Sequence, residues 1–155
     1  MSEANAAEIR ALEHYLHQQI PLTVPIGVGV RRIDERGILL SAPLAPNINH
    51  LQTAFGGSTA ALATLACWSL VHLRLQKLSS ASTIVVRRAA MDYLHPIDRD
   101  FEAFCPAPNA EIWTRFTAEL THRGKARIQL DAELCCDEVR AAEFQGTFIA
   151  IHQER

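Results

Sequence analysis

The sequence predicts an α+β domain: one antiparallel sheet of six strands curled around a single long, buried helix. Three observations lead there. Residues 47–76, NINHLQTAFGGSTAALATLACWSLVHLRLQ, pass from a polar loop through Phe55-Gly56-Gly57-Ser58 into a strongly apolar run. Six other stretches carry strand signals, and most are joined by short turns, which favour antiparallel neighbours. The 155 residues suit one domain with a real core, so residues 1–155 are read as a single domain without repeats, linkers or low-complexity segments.

The apolar run sets the rest. From Ala60 to Leu73 only Thr64, Ser69 and His72 are clearly polar. A helix apolar on nearly all sides must be buried on nearly all sides. Many of its residues are small, among them Ala60, Ala61, Ala63, Thr64, Ala66 and Cys67, and small side chains let other backbone approach. About 20 residues of helix run roughly 30 Å, on the order of a small domain's diameter. A membrane span wants about 20 mostly apolar residues; the uninterrupted stretch is shorter, and Gly56, Gly57, Ser58 and Thr59 crowd its front. A core helix is the reading taken.

The other elements follow in order. Asn5 with Glu8 resembles a capping box, and Ile9, Leu12, Leu16 and Ile20 recur at helical spacing, so residues 5–19 read as an amphipathic helix ended by Pro21. Ile26, Val28 and Val30 alternate with Gly27, Gly29 and Arg31, which is strand periodicity. Glu35-Arg36-Gly37 is a turn. Ile38, Leu40, Ala42 and Leu44 alternate again, giving a hairpin stopped by Pro43 and Pro46. After the central helix, whose last turns carry Arg74 and Lys77 to complement the dipole, residues 78–81 lead into a long strand, residues 82–94. Its imperfect alternation predicts partial cover on both faces. His95-Pro96-Ile97-Asp98 turns the chain into a short strand over residues 100–105, broken by Pro106 and Pro108. Asn109 caps a second amphipathic helix with Ile112, Trp113, Phe116 and Leu120 on one face and Gly124 at its end. In the strand that follows, Ala126, Ile128, Leu130, Ala132, Leu134 and Cys136 face one way and Lys125, Arg127, Gln129, Asp131 and Glu133 the other. Asp137-Glu138 turns it into a last strand over residues 140–152.

Composition narrows the function classes. Hydrophobic residues make up 48% and charged residues 21%, with a net charge of −2. This is an ordinary globular mixture without an overall field for nucleic acid, and there is no basic stripe with interleaved aromatics. The acidic, amphipathic N-terminus does not read as an export signal, so a cytoplasmic location, away from any membrane, is expected. The four cysteines show no CxxC or Cys/His zinc spacing and read as packing residues; no metal is expected.

The residues also carry a resemblance. The run Asn49-His50-Leu51-Gln52-Thr53-Ala54-Phe55-Gly56-Gly57-Ser58 resembles the helix start of hotdog-fold acyl-thioesterases, and more narrowly the thioesterase domain of the YiiD C-terminal type. Asp92-Tyr93-Leu94-His95-Pro96-Ile97 is similar to a strand end common in that group. The resemblance covers nearly the whole chain in element order. It implies the hotdog fold, hydrolysis of an acyl-CoA or acyl-carrier-protein thioester, and no cofactor beyond the coenzyme A or acyl carrier of the substrate. It also implies at least a homodimer, with sheets pairing edge to edge, and leaves a tetramer open.

Chemistry and resemblance together give the expected site. Unpaired N–H groups at a helix start are pre-oriented donors for a carbonyl oxygen that gains negative charge. Glycine permits close approach. Gly57 is the expected oxyanion donor, with Gly56 beside it and Ser58 as a further hydroxyl or a simple cap. Asn49, by analogy, positions the carbonyl or the attacking water; the plainer reading is a turn asparagine. Where relatives place a helix carboxylate, eight residues after the first glycine, this chain has Thr64, and Phe55 stands where several relatives have His. Asp92, His95 and His50 are the substitute bases; a buried Asp92 would have a raised pKa suited to that work, whereas pairing with Arg88 or solvent is the structural alternative. Trp68, Met91 and Tyr93 are candidates to line an acyl slot, and core packing is the default for each. Arg87-Arg88 and Arg123-Lys125-Arg127 are local basic clusters that suit the phosphates of coenzyme A or are solvated strand faces. No G-x-S-x-G elbow supports a covalent serine. The competing readings are a non-catalytic acyl-CoA-binding or sensing module, kept open by Thr64, and a dehydratase on the same fold, which the residues around Gly56 do not support.

Overall fold

The computed structural model describes residues 2–78 and 81–153. The first helix, α1, spans Glu3–Gln19. Its cap is Ser2, whose hydroxyl accepts from the Asn5 N–H at 3.2 Å. The box expected from Asn5 and Glu8 therefore starts one turn too late: Asn5 lies inside the helix, and Glu8 pairs with Lys77 at 3.3 Å. After Pro21 the chain makes a single helical turn, α2 (Thr23–Ile26), closed by Gly27 at φ 78°. Ile26, expected in a strand, ends this turn instead; the strand periodicity holds only from Val28 onward.

The hairpin β1 (Gly29–Asp34) and β2 (Gly37–Ala42) follows. A short 3-10 turn, Ala45–Asn47, leads to the loop before the central helix α3, Gly56–Lys77. Then come β3 (Ser82–Tyr93), β4 (Phe101–Pro106), α4 (Ala110–Arg123), β5 (Lys125–Cys136) and β6 (Val139–His152). Asn109 caps α4 by accepting from Ile112 N–H at 2.9 Å, and Gly124 closes it at φ 68°. Part of the connection expected over residues 78–81 lies outside the described residues.

All six strands form one antiparallel sheet in the order β1-β2-β4-β5-β6-β3. The sheet wraps α3, whose Leu62, Ala63, Ala66, Cys67, Leu70 and Val71 are buried against it. On the strands, Ile38, Leu40, Ala103, Leu134, Phe144 and Phe148 complete that core. Burial of the Cys67 thiol, next to Cys105, pushes its pKa well up, so it packs as an apolar group and is no nucleophile.

The two edges of the sheet are treated differently. At β1, helix α1 covers the edge: Glu13 accepts from the Val30 N–H at 2.9 Å and the His17 ring bonds the Val28 carbonyl at 2.8 Å. At β3, no further strand among the described residues pairs with the outer side. β3 and β5 are equally long, yet β5 alternates between buried and open residues while β3 has no buried residue at all. The cover on β3 is partial: Ile84 and Met91 are half-buried against the core and Ala90 is half-buried, while most of the strand is exposed.

Candidate active site

The start of α3 is held by its loop. Asn47 is buried, and its amide donates to the Ile26 carbonyl at 2.8 Å and the Pro43 carbonyl at 2.7 Å. Its own carbonyl accepts from the Phe55 N–H at 2.7 Å. One turn of loop lies between, pinned by Asn49: its Oδ1 takes the N–H groups of Leu51 (2.8 Å) and Thr53 (3.2 Å), and its Nδ2 donates to Thr53 Oγ1 at 2.9 Å. Asn49 is thus committed to an asparagine turn. The buried Asn47 joins the loop to α2 and to the end of β2. The Ala54 N–H reaches across to the Ile97 carbonyl at 2.7 Å, tying the same loop to the segment after β3.

Phe55 precedes the helix in extended conformation, without a side-chain cap. Its carbonyl accepts from both Ser58 and Thr59 N–H, at 3.0 and 3.2 Å. The N–H groups of Gly56 and Gly57 have no acceptor among the described residues, as the first amides of an uncapped helix must, and Gly57 is exposed. Both glycines are crowded on one side. A Cβ on Gly56 would lie 3.1 Å from the Tyr93 hydroxyl, and one on Gly57 would lie 2.4 Å from the Phe55 ring. Tyr93 Oη also donates to the Gly56 carbonyl at 3.1 Å, and Thr59 Oγ1 to the same carbonyl at 2.8 Å. Phe55 and Tyr93, both more than half exposed (58% and 59%), therefore flank the two free amides.

Thr64 lies seven residues beyond Gly57, roughly 10 Å along the helix axis and about 20° around it, so it shares the face of Gly57. Its hydroxyl donates to the Ala60 carbonyl at 2.8 Å. Gly57, Ala60, Ala61, Thr64 and Trp68 are the residues of that face left open or half-open by the sheet. Further along, Tyr15 of α1 stacks on His72 (4.6 Å between centroids), which stacks on Trp68 (4.8 Å), and the Trp68 indole N–H donates to the Ile84 carbonyl at 3.1 Å. Trp68 therefore closes the far end of the stripe. Burial lowers the pKa of His72.

The remaining expected residues fall elsewhere. Met91 and Tyr93 sit opposite the buried Phe144 and Ala142, on the inner side of β3, whereas Asp92 pairs with Glu143 on the outer side and is exposed. The burial that would have suited Asp92 to act as a base is not there, and no ion pair joins it to Arg88 among the described residues. His50 and His95 are exposed. The Ser58 hydroxyl makes no hydrogen bond among the described residues. Arg87 and Arg88 stand about 20 and about 17 Å along β3 from Tyr93, at ~3.3 Å per residue, away from the helix mouth. No group of three or more His, Cys, Asp or Glu suited to a metal occurs among the described residues. Among the described residues, no helix is long and apolar enough to cross a membrane.

A six-stranded antiparallel sheet around one long helix, with free amides at that helix's start, is the hotdog fold. Residues 9–152 match the family described as "Putative thioesterase (yiiD_Cterm)", and the chain belongs to that family. Among solved structures, it is 32% identical to a protein of unknown function from Chlorobaculum tepidum TLS, over 93% of this chain and 94% of that one, with a TM-score of 0.89. It is 30% identical to the "putative thioesterase from Shewanella oneidensis", over 92% and 96%, with a TM-score of 0.82. A "Probable Thioesterase" of Pseudomonas aeruginosa, 19% identical over 93% and 95% at a TM-score of 0.79, shares the fold.

Proposed function

We propose that the protein hydrolyses an acyl thioester carried on coenzyme A or an acyl carrier protein, holding the ester carbonyl against the Gly57 N–H. The observation that carries this reading is the pair of unengaged amides at an exposed helix start, flanked by Phe55 and Tyr93. A tetrahedral intermediate places negative charge on the carbonyl oxygen. Donors already fixed there stabilise it without reorganisation, an effect worth on the order of 3–4 kcal/mol per donor in comparable sites. Water adds to the carbonyl carbon, the C–S bond breaks, and the sulfur leaves as a thiol with the proton the water gives up. The small-residue stripe from Ala60 to Thr64, with Met91 on the facing strand, takes the start of the acyl chain.

In this reading the active form is a homodimer joined through β3. One sheet edge is covered by α1 and the other carries no further strand among the described residues, with Val85 and Val86 44% and 46% exposed on it. Such an edge calls for a strand partner, and a second copy pairing there would also cover the half-open stripe beside Tyr93.

A second reading, a module that binds acyl thioesters without cleaving them, draws on one observation: neither Thr64 nor the outward Asp92 puts a carboxylate on the stripe. The two readings part on one assay. Purified protein is incubated with a panel of acyl-CoA esters and a thiol reagent. Release of thiol supports hydrolysis; tight binding with no release supports the binding module.

A further inference from the structure

The β3–β6 ladder breaks register between Val86 and Arg88, so Arg87 is the extra residue of a bulge. Bulges re-aim side chains. Here Arg87 lines a cavity of about 380 Å³ together with Arg123 from the last turn of α4 and Lys125 and Arg127 from the outer side of β5. Two basic clusters, far apart in sequence, thus meet in one hollow. Its floor includes Ile149, which is only 6% exposed yet stands apart from the continuous core. Its cover must come from the outer face, and arginine and lysine stems serve that purpose well.

The charge in this hollow is compensated only in part. Glu119 is its one carboxylate, and it is paired at 3.7 Å with the exposed Arg123. Arg87, Lys125 and Arg127 make no ion pair among the described residues. The chain as a whole is slightly acidic, at −2, so the cluster is no by-product of general basicity. Like charges gathered round one hollow repel even in water, a cost that a multiply charged anion between them would offset. Arginine forks match phosphate oxygens two at a time. A hollow of this size falls at the small end of ligand sites, enough for a phosphate or diphosphate and too small for a whole nucleotide ester.

We propose that the outer-face hollow formed by Arg87, Arg123, Lys125 and Arg127 binds a phosphate or diphosphate group. It lies across the sheet from the helix mouth, so the inference goes beyond thioester hydrolysis and stands without it. The group could be supplied by the nucleotide end of a coenzyme A ester or by a free phosphate compound, and the shared chemistry is the same.

Titration calorimetry at constant ionic strength tests it, with pyrophosphate, coenzyme A, dephospho-coenzyme A and phosphate-free pantetheine as probes. Pyrophosphate is expected to bind, more weakly as salt rises, and pantetheine to leave the hollow empty. The double variant Arg87→Ala/Arg127→Ala is expected to weaken pyrophosphate binding at least 10-fold, while Lys77→Ala, which removes a cation that does not line the hollow and is already paired with Glu8, leaves it unchanged. Coenzyme A binding that exceeds pyrophosphate and drops on loss of the 3′-phosphate supports the site with the ester's nucleotide as source; equal binding of the two supports it with free phosphate. An unchanged unfolding temperature of the double variant without ligand confirms that the fold survives. Absence of pyrophosphate binding at millimolar concentration, or equal binding by the double variant, overturns the proposal. Neither result depends on thiol release, so failure of the hydrolase reading is seen separately.

Discussion

The hydroxyl of Tyr93, at the end of β3, donates to the carbonyl of Gly56, the first residue of α3, across 3.1 Å. That bond joins the bare edge of the sheet to the mouth of the buried helix. It also crowds Gly56, where a Cβ would meet the same hydroxyl at 3.1 Å and the Tyr93 ring would have to give by a few tenths of an ångström. Removing it by Tyr93→Phe is expected to lower stability by about 0.5–1.5 kcal/mol, since Thr59 still serves the Gly56 carbonyl. Denaturant unfolding measures this; Tyr93→Ala, which also strips the ring from Gly56, should lose more.

Asn47 and Asn49 should separate in the same measurement. Asn47 is buried and leaves two carbonyls without donors when truncated, so Asn47→Ala is expected to cost on the order of 2–3 kcal/mol. Asn49 is half-exposed and its turn is open to water, so Asn49→Ala should cost about 1 kcal/mol. Equal losses would show that the two asparagines share the work of holding the loop.

The bare β3 edge predicts association. Light scattering across a concentration series should give a dimer for the natural chain and a monomer for Val86→Lys, because a charge on an edge strand opposes strand addition. A Val86→Lys protein that stays dimeric would place the interface elsewhere.

His72 predicts a pH dependence. Burial holds its pKa in the fold below the unfolded value of 6.5, so the unfolded chain takes up the proton first as pH falls. Its contribution to stability is complete above about pH 6.5 and is lost as pH falls from there through the folded pKa. Unfolding temperatures from pH 8 to 5 should decline in the lower half of that range, and His72→Gln should flatten the decline.

Most of the fold was legible because its signals are local. The alternation of β5, the cap and stop of α4 at Asn109 and Gly124, and the length of α3 each follow from neighbours in sequence. The errors mark where non-local contacts decide. Ser2 outcompetes Asn5 as a cap because the helix extends past Asn5 to Glu3. β3 alternates poorly, and only Ile84 and Met91 of it pack, half-buried, against the core. At the helix start, Gly56, Gly57, Phe55 and Tyr93 lie together in the fold. Asp92 does not join them, since strand parity puts it on the far side from Tyr93. Asn47 gave no signal, because its role rests on carbonyls of Ile26 and Pro43 that only the fold brings near. The meeting of Arg87 with Arg127 depends on a bulge that no local pattern announces.

Thiol release by Gly57→Ala, measured beside the natural chain on the best acyl-CoA ester of the panel, tests the central claim most directly. In the proposed reading the ester approaches over Gly57; a Cβ added there would meet the Phe55 ring at 2.4 Å, and that ring, being exposed, can swing aside. The account predicts a fall of about 100-fold or more in kcat/KM with unfolding temperature little changed, and no recovery when Phe55→Ala is added to relieve the crowding. A natural chain that hydrolyses thioesters equally well with or without the Gly57 change would contradict it.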